Sequence, residues 1–265
     1  MIRFDVITLF PSMFGDFLST SIIQRAQTKG KLQVVLTDPR SFACDGYGTV
    51  DDAPYGGGGG MILKPEPIFA AVEHVLRGRD LPVLLFSPQG RVLTQSLVKE
   101  IALHPWSVLL CGHYEGFDER IRSLVTLEVS IGDYVLTGGE LPAMVLIDAV
   151  SRCVPSVLGG EDVVGRDSFG ESGLLEYPHY TRPFCFRSLE VPSVLRSGNH
   201  RLIEQWRRRQ SLLRTLQRRP ELLRSARLTA EDYVFLRTKV GRCSVRKSVE
   251  WVEKGEDMKD AGVDS

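Results

Sequence analysis

Ser107-Val108-Leu109-Leu110-Cys111-Gly112-His113-Tyr114-Glu115-Gly116 sets a short apolar run directly against a polar loop flanked by glycines. A run of this length bounded by turn residues reads as a strand, Ser107–Cys111, and the glycines mark the loop that leaves it. Working outward, the arrangement repeats. Strand Pro82–Phe86 runs into Ser87-Pro88-Gln89-Gly90, and strand Thr126–Val129 runs into Ser130-Ile131-Gly132-Asp133-Tyr134-Val135-Leu136-Thr137-Gly138-Gly139, with Tyr134–Leu136 read as a further short strand. Helical segments alternate with them: Pro65–Leu76 with Pro near its start, about Thr94 to Leu103, a short helix over Glu115–Ser123, and Glu140–Cys153. Nearer the N-terminus, strands Ile2–Leu9 and Leu32–Thr37 flank a helix from Pro11 to about Thr28. Strands alternating with helices over roughly the first 150 residues define an α/β architecture.

In a parallel α/β sheet the loops that follow strands gather at one edge, where ligands bind. Each of the three glycine loops alone reads equally as an ordinary turn between strand and helix; together they favour a binding edge. Neither a G-x-x-x-x-G-K-[ST] loop nor a G-x-G-x-x-G turn is present, which disfavours a P-loop NTPase and a standard dinucleotide enzyme. The run Pro54-Tyr55-Gly56-Gly57-Gly58-Gly59-Gly60-Met61 reads either as a flexible connection or, with Asp51-Asp52 before it, as a binding loop. Arg152, near the end of a helix, suits the negative end of the helix dipole, and Asp167 reads as a solvated loop acid. Spacing alone singles out neither.

Composition is that of an ordinary globular chain: 265 residues, 43% hydrophobic, 25% charged, 8% aromatic. The longest apolar pieces, such as Leu81–Phe86, fall far short of a membrane span, and Asp5, Pro11 and Gly15 interrupt any signal-peptide pattern. Five cysteines without a C-x-x-C pair argue against a disulfide framework or structural zinc, and so for a reducing cytoplasm. The five histidines show no metal-ligand spacing, so no metal ligands are assigned.

Formal charge is zero, yet Arg196–Arg227 holds ten Arg and no Lys against Glu204 and Glu221. The run is helical by period, with Leu202, Ile203, Trp206, Leu213 and Leu216 on one side, Asn199 as N-cap, and Thr229 with Asp232 opening a further helix. A solvated amphipathic helix is the bland alternative. The preference for Arg, whose planar fork fits phosphate and stacks on bases, points instead to a nucleic acid partner. The sequence divides into an α/β domain over 1–158, a flexible glycine-rich linker over 159–173 without periodicity, a basic helical domain over 174–247, and an acidic tail over 248–265 read as disordered.

Several long strings resemble the bacterial TrmD family: Leu9-Phe10-Pro11, Thr49-Val50-Asp51-Asp52-x-Pro54-Tyr55-Gly56-Gly57-Gly58, Ser87–Gly90, Cys111–Gly116 with Asp118-Glu119-Arg120, and Ser130–Leu136. Gly138-Gly139-Glu140-Leu141-Pro142-Ala143-Met144, Asp167-Ser168-Phe169, Pro178–Pro183 and Val191–His200 extend the resemblance over about residues 1–235. It implies a SPOUT-type parallel sheet with a deep trefoil knot, a helical C-terminal domain, an obligate homodimer, and methylation of N1 of guanosine 37 in tRNA by S-adenosylmethionine. By motif match the cofactor residues would be Pro88, Gly112, Tyr114, Glu115, Ile131, Gly132, Asp133, Tyr134, Val135, Leu136, Gly138, Gly139 and Pro142. The family assigns the base to Asp167 and the cation facing O6 to Arg152, places the active site between subunits, and suggests magnesium. His113 stands where the family pattern has Arg, and Gly59 where it has Pro. Two other readings stay open: an RNA-binding protein without catalysis, and a related methyltransferase with a different RNA target.

Overall fold

The computed structural model describes residues 1–159 and 163–240, and within it the chain divides into two units at Gly160/Glu161. In the first, β1 (Ile2–Ile7) is followed by a 3-10 turn, α1 (Gly15–Ser19), α2 (Ser21–Thr28) and β2 (Leu32–Thr37). A short antiparallel hairpin, β3 (Asp51–Asp52) with β4 (Ile62–Leu63), then carries the glycine run at its tip. There follow α3 (Pro65–Leu76), β5 (Val83–Val92), α4 (Gln95–Ile101), β6 (Trp106–Leu110), β7 (Leu127–Ser130) and α5 (Glu140–Cys153).

Five strands form one wholly parallel sheet in the order β2-β1-β6-β5-β7. Both faces are apolar, as a sheet covered on two sides requires. Phe4, Val6, Leu84 and Leu109 belong to a cluster that includes Leu146 and Ile147 of α5, while Ile7, Leu85 and Leu110 belong to one that includes Ile68 and Val72 of α3. Where the strands begin, the Arg3 guanidinium pairs with buried Asp5 at 2.8 Å, and Trp106 Nε1 donates to the same carboxylate.

The sequence expectations for Leu32–Thr37, Pro65–Leu76 and Glu140–Cys153 coincide with β2, α3 and α5. Three others are corrected. The helix expected from Pro11 to Thr28 is broken: Thr20 is extended and Ser21 has a φ of 52°, outside right-handed helix geometry. The helix expected over Glu115–Ser123 is instead a 3-10 turn, Glu119–Leu124, opened by Asp118, whose carboxylate accepts from Arg120 N–H. Tyr134–Leu136 is not a strand; its side chains are exposed and line a cavity.

The second unit contains α6 (Val163–Arg166), a two-residue-strand hairpin of β8 (Cys185–Phe186) and β9 (Leu189–Glu190), α7 (His200–Arg218) and α8 (Ala230–Val240). Among the described residues its core is five buried leucines: Leu174, Leu212, Leu216, Leu223 and Leu236. Asn199 caps α7 by accepting from Leu202 N–H at 3.2 Å. Thr229 and Asp232 exchange hydrogen bonds across the start of α8, in the pattern expected of them. The apolar stripe of α7 differs from expectation: Leu202 is exposed, and the buried positions are Ser211, Leu212, Thr215 and Leu216. Only the C-terminal half of the helix packs against the leucine core, so the stripe is shorter than the periodicity.

Residues 163–173 have a defined path despite their lack of periodicity. Gly170 N–H donates to Asp167 O at 2.9 Å, Phe169 N–H to Leu174 O at 3.0 Å, and Arg227 N–H to Ser172 O at 3.0 Å. Turns of this kind leave no repeating pattern in a sequence. The acidic tail expected over 248–265 and the end of the basic domain, 241–247, lie outside the described residues.

Candidate active site

Parallel strands bring β5, β6 and β7 out at one edge, and the segments leaving them enclose a cavity of about 430 Å³. The first of these segments is not the turn that the sequence suggested. Ser87-Pro88-Gln89-Gly90 lies within β5 as an irregularity, with pairing to β7 shifting register between Phe86 and Arg91. A bulge of this type re-aims side chains while the strand continues. It depends on Gly90, because a Cβ there would sit 2.5 Å from Val129 N. Ser87 Oγ–H donates to Glu128 at 2.8 Å, and Arg122 pairs with the same carboxylate. Chiefly through Arg122, with burial opposing and Ser87 assisting, Glu128 is held below the ordinary carboxylate range.

The second and third segments meet each other. His113 and Gly138 form an isolated antiparallel bridge, and Gly139 N–H donates to Gly112 O at 2.8 Å. This approach excludes any side chain at 139, where a Cβ would lie 2.7 Å from Cys111 Cα. Glu140 begins α5 and is 1% exposed; its Oε1 accepts from the Thr8 hydroxyl at 2.8 Å, and its Oε2 lies 3.9 Å from His113 Nε2. Burial, reinforced by the Glu140 charge, pushes the Cys111 thiol well above its ordinary range.

Twelve of the thirteen cofactor residues named from motifs line this cavity; Asp133 is exposed and does not. The motif reading missed Ser87, Gln89 and Thr137 as lining groups, although the first two lie inside the quoted strings and Thr137 falls between two of them. His113 also lines it, so the one departure from the family pattern in that loop is part of the cavity. The glycine run approaches from the side: Glu115 N–H donates to Met61 O at 3.0 Å, and a Cβ at Gly60 would meet the Glu115 side chain at 2.6 Å. Arg152 is half-buried in the last turn of α5 in the first unit, and Asp167 is half-buried just after α6 in the second. Among the described residues, no group of three or more His, Cys, Asp or Glu is gathered to hold a metal ion.

The lining suits a nucleoside joined to a charged tail. Glycines at 112, 132, 138 and 139 let a ligand approach the backbone closely, Ile131, Tyr134 and Leu136 offer apolar faces, and Glu115, Glu119 and Arg122 supply charge. A parallel α/β domain with a nucleoside-sized cavity at the carboxyl ends of its strands, followed in the chain by an arginine-rich helical unit, defines the class: an α/β protein of the kind that binds ligands at its sheet edge. The profile of the family described as tRNA (Guanine-1)-methyltransferase TrmD matches residues 2–225. Relatives named tRNA (guanine-N(1)-)-methyltransferase include that of Moorella thermoacetica, 56% identical over 88% of this chain and 95% of its own length. That of Geobacillus kaustophilus is 54% identical over 89% and 97%. The crystal structure of tRNA (m1G37) methyltransferase from Aquifex aeolicus superposes with a TM-score of 0.65 at 43% identity, covering 77% of this chain and 87% of that one. The chain belongs to the TrmD family of tRNA (guanine-1)-methyltransferases.

Proposed function

We propose that this chain transfers a methyl group from S-adenosylmethionine to N1 of guanosine 37 in tRNA. The observation that carries the reading is the single cavity built by all three glycine segments in a chain of this family. Bound there, S-adenosylmethionine supplies a sulfonium methyl that is already electrophilic, so the work left to the protein lies on the acceptor side. Guanine N1 carries a proton, and its removal develops negative charge at O6. Asp167 takes that proton as general base, and Arg152 sets its positive charge against O6. The guanine leaves its stack so that its edge reaches the methyl group, and the arginines of α7 grip the RNA backbone around it.

The working unit is a homodimer in which one subunit gives the cavity and the other gives Asp167. The exposure of Leu141 and Val145, one turn apart on α5, together with Met13, supports a covered face on the first unit. As a family member the fold is read as knotted at the cofactor loops. No helix among the described residues is long and apolar enough to cross a membrane, and a tRNA substrate supports a cytoplasmic protein. Magnesium is proposed as an accessory to the reaction, either in the transfer itself or in organising the RNA; among the described residues no group of three or more His, Cys, Asp or Glu is gathered to hold it.

Tritium transfer from labelled S-adenosylmethionine into unmodified tRNA tests the reading. Wild type is expected to label N1 of guanosine 37, and Asp167→Asn to lose about 10²–10⁴-fold in kcat while still binding the cofactor. Binding of tRNA by wild type without any transfer would leave the noncatalytic RNA-binding reading. Transfer that survives replacement of guanosine 37 would mean another RNA target.

A further inference from the structure

We infer that a second cavity, walled by Ser168, Glu176, Tyr177, His179, Arg214 and Arg218, seats a backbone phosphate of the RNA beside the target guanosine. The inference rests on the methyltransferase reading, in which Asp167 meets guanosine 37. The cavity holds about 340 Å³, lies wholly within the second unit, and shares no residue with the one at the sheet edge. A volume of that order accommodates a small ligand or one unit of a polymer.

Its charge is unbalanced. Arg214 and Arg218 stand one turn apart on α7, and like charges at that spacing repel. Other arginines of the same stretch have acids: Arg207 meets Glu204 at 2.6 Å, Arg208 meets Asp232 at 2.7 Å, and Arg219 pairs with Glu221. Neither Arg214 nor Arg218 has an ion pair or a side-chain hydrogen bond among the described residues. The carboxylate that lines the cavity with them, Glu176, is engaged by His179, with Oε1 2.7 Å from Nε2. Two unopposed guanidiniums lining one hollow match the oxygens of a phosphate.

The walls set this hollow against the proposed base. Ser168 follows Asp167 in the chain, and its Oγ accepts from Glu176 N–H at 2.9 Å. Leu175 N–H donates to Thr215 Oγ1 at 3.0 Å, tying the same strip to α7 between the two arginines. Tyr177 adds a ring, 4.8 Å from that of His179, with the Arg207 guanidinium 5.0 Å from its centre. A small inorganic anion would use the arginines and leave the rings idle. A nucleotide uses both, its phosphate on the arginines and its sugar or base along the rings. A phosphate seated there holds the RNA at a fixed distance from Asp167.

The test changes protein and RNA together. Unmodified tRNA carrying one neutral methylphosphonate linkage, on the 5′ or the 3′ side of guanosine 37, is bound to the full chain as wild type and as the double variant Arg214→Gln/Arg218→Gln. For wild type, one of the two linkages is expected to weaken binding about tenfold relative to unsubstituted tRNA. The double variant is expected to bind unsubstituted tRNA about tenfold more weakly, and the same linkage then makes no further difference, because the charge it removes has no partner left. Without RNA, the double variant is expected to unfold no earlier than wild type, since a repulsion is relieved. An earlier transition would make the pair structural and overturn the subsite. So would losses that multiply in the double variant, or a wild type indifferent to both linkages, and each of these leaves the methyltransferase reading intact. Coupling between linkage and arginines without methyl transfer by wild type would overturn that reading alone.

Discussion

Up to Gly160 the chain carries 13 basic and 17 acidic side chains, and it buries two clusters of 19 and 10 residues on the two faces of a parallel sheet. Beyond Gly160 the core of the described residues is five leucines, and the run Arg196–Arg227 holds ten arginines against two acids. The first unit is stabilised by apolar burial, and its cavity is set by backbone that cannot move without breaking the sheet. The second unit leans on polar ties, because a basic surface repels itself and its core is small. Arg208 is the clearest case. It donates to Asp232 at 2.7 Å and also to Arg227 O at 2.7 Å, joining α7 to the capped start of α8. Damage to one unit is therefore expected to leave the function of the other standing.

The largest effect that would sharpen this contrast comes from Gly139→Val. With a Cβ 2.7 Å from Cys111 Cα, the loops before α5 and after β6 must separate. Cofactor affinity is expected to fall by about a hundredfold or more, while tRNA binding in a filter assay stays near wild type. Equal loss of both would break the division of labour. Next comes Arg208→Ala, which leaves the buried Asp232 carboxylate without its cation. It is expected to cost the second unit about 2 kcal/mol, seen as an earlier thermal transition with cofactor binding unchanged.

A third prediction concerns acid. Burial acts to raise the pKa of Asp232, but hydrogen bonds from Arg208 and Thr229 outweigh it and leave the group below its ordinary value. A carboxyl whose folded-state pKa is depressed contributes stability above its unfolded pKa, and that contribution is lost as pH falls through the folded value. Wild type is thus expected to lose stability in the second unit as pH drops below about 4, whereas Asp232→Asn shows a lower but flatter profile there. The smallest effect is that of Arg201→Ala on the exposed start of α7, which is expected to reduce the salt slope of tRNA binding by about one. Cofactor affinity should be indifferent to salt in the same range.

What could be read from the sequence follows from the same contrast. Pro65–Leu76 and Glu140–Cys153 were legible to the residue because each opens at a glycine or proline-marked boundary and keeps one apolar face against the sheet. Twelve of the residues that the family strings propose for the cofactor line one cavity, since those strings are the loop edges themselves. The bulge at Ser87–Gly90 was not legible: its cause is Gly90 pressed against Val129, a contact between residues 39 positions apart. Tyr134–Leu136 reads as a strand because two β-favouring side chains followed by a leucine mimic one. The pairing of His113 with Glu140 likewise depends on two loops meeting, and no local pattern encodes that.

Cys111 bears on how the cavity could be blocked. Electrophilic warheads react with thiolates, and this thiol, at the end of β6 next to the cavity loop, is buried and kept protonated by its surroundings. Cys44 and Cys185 are exposed, and neither lines the cavity. Among the described residues, a compound designed to fill this cavity would find no usable sulfur, so its residence time would have to come from shape and polar contacts rather than from a covalent bond.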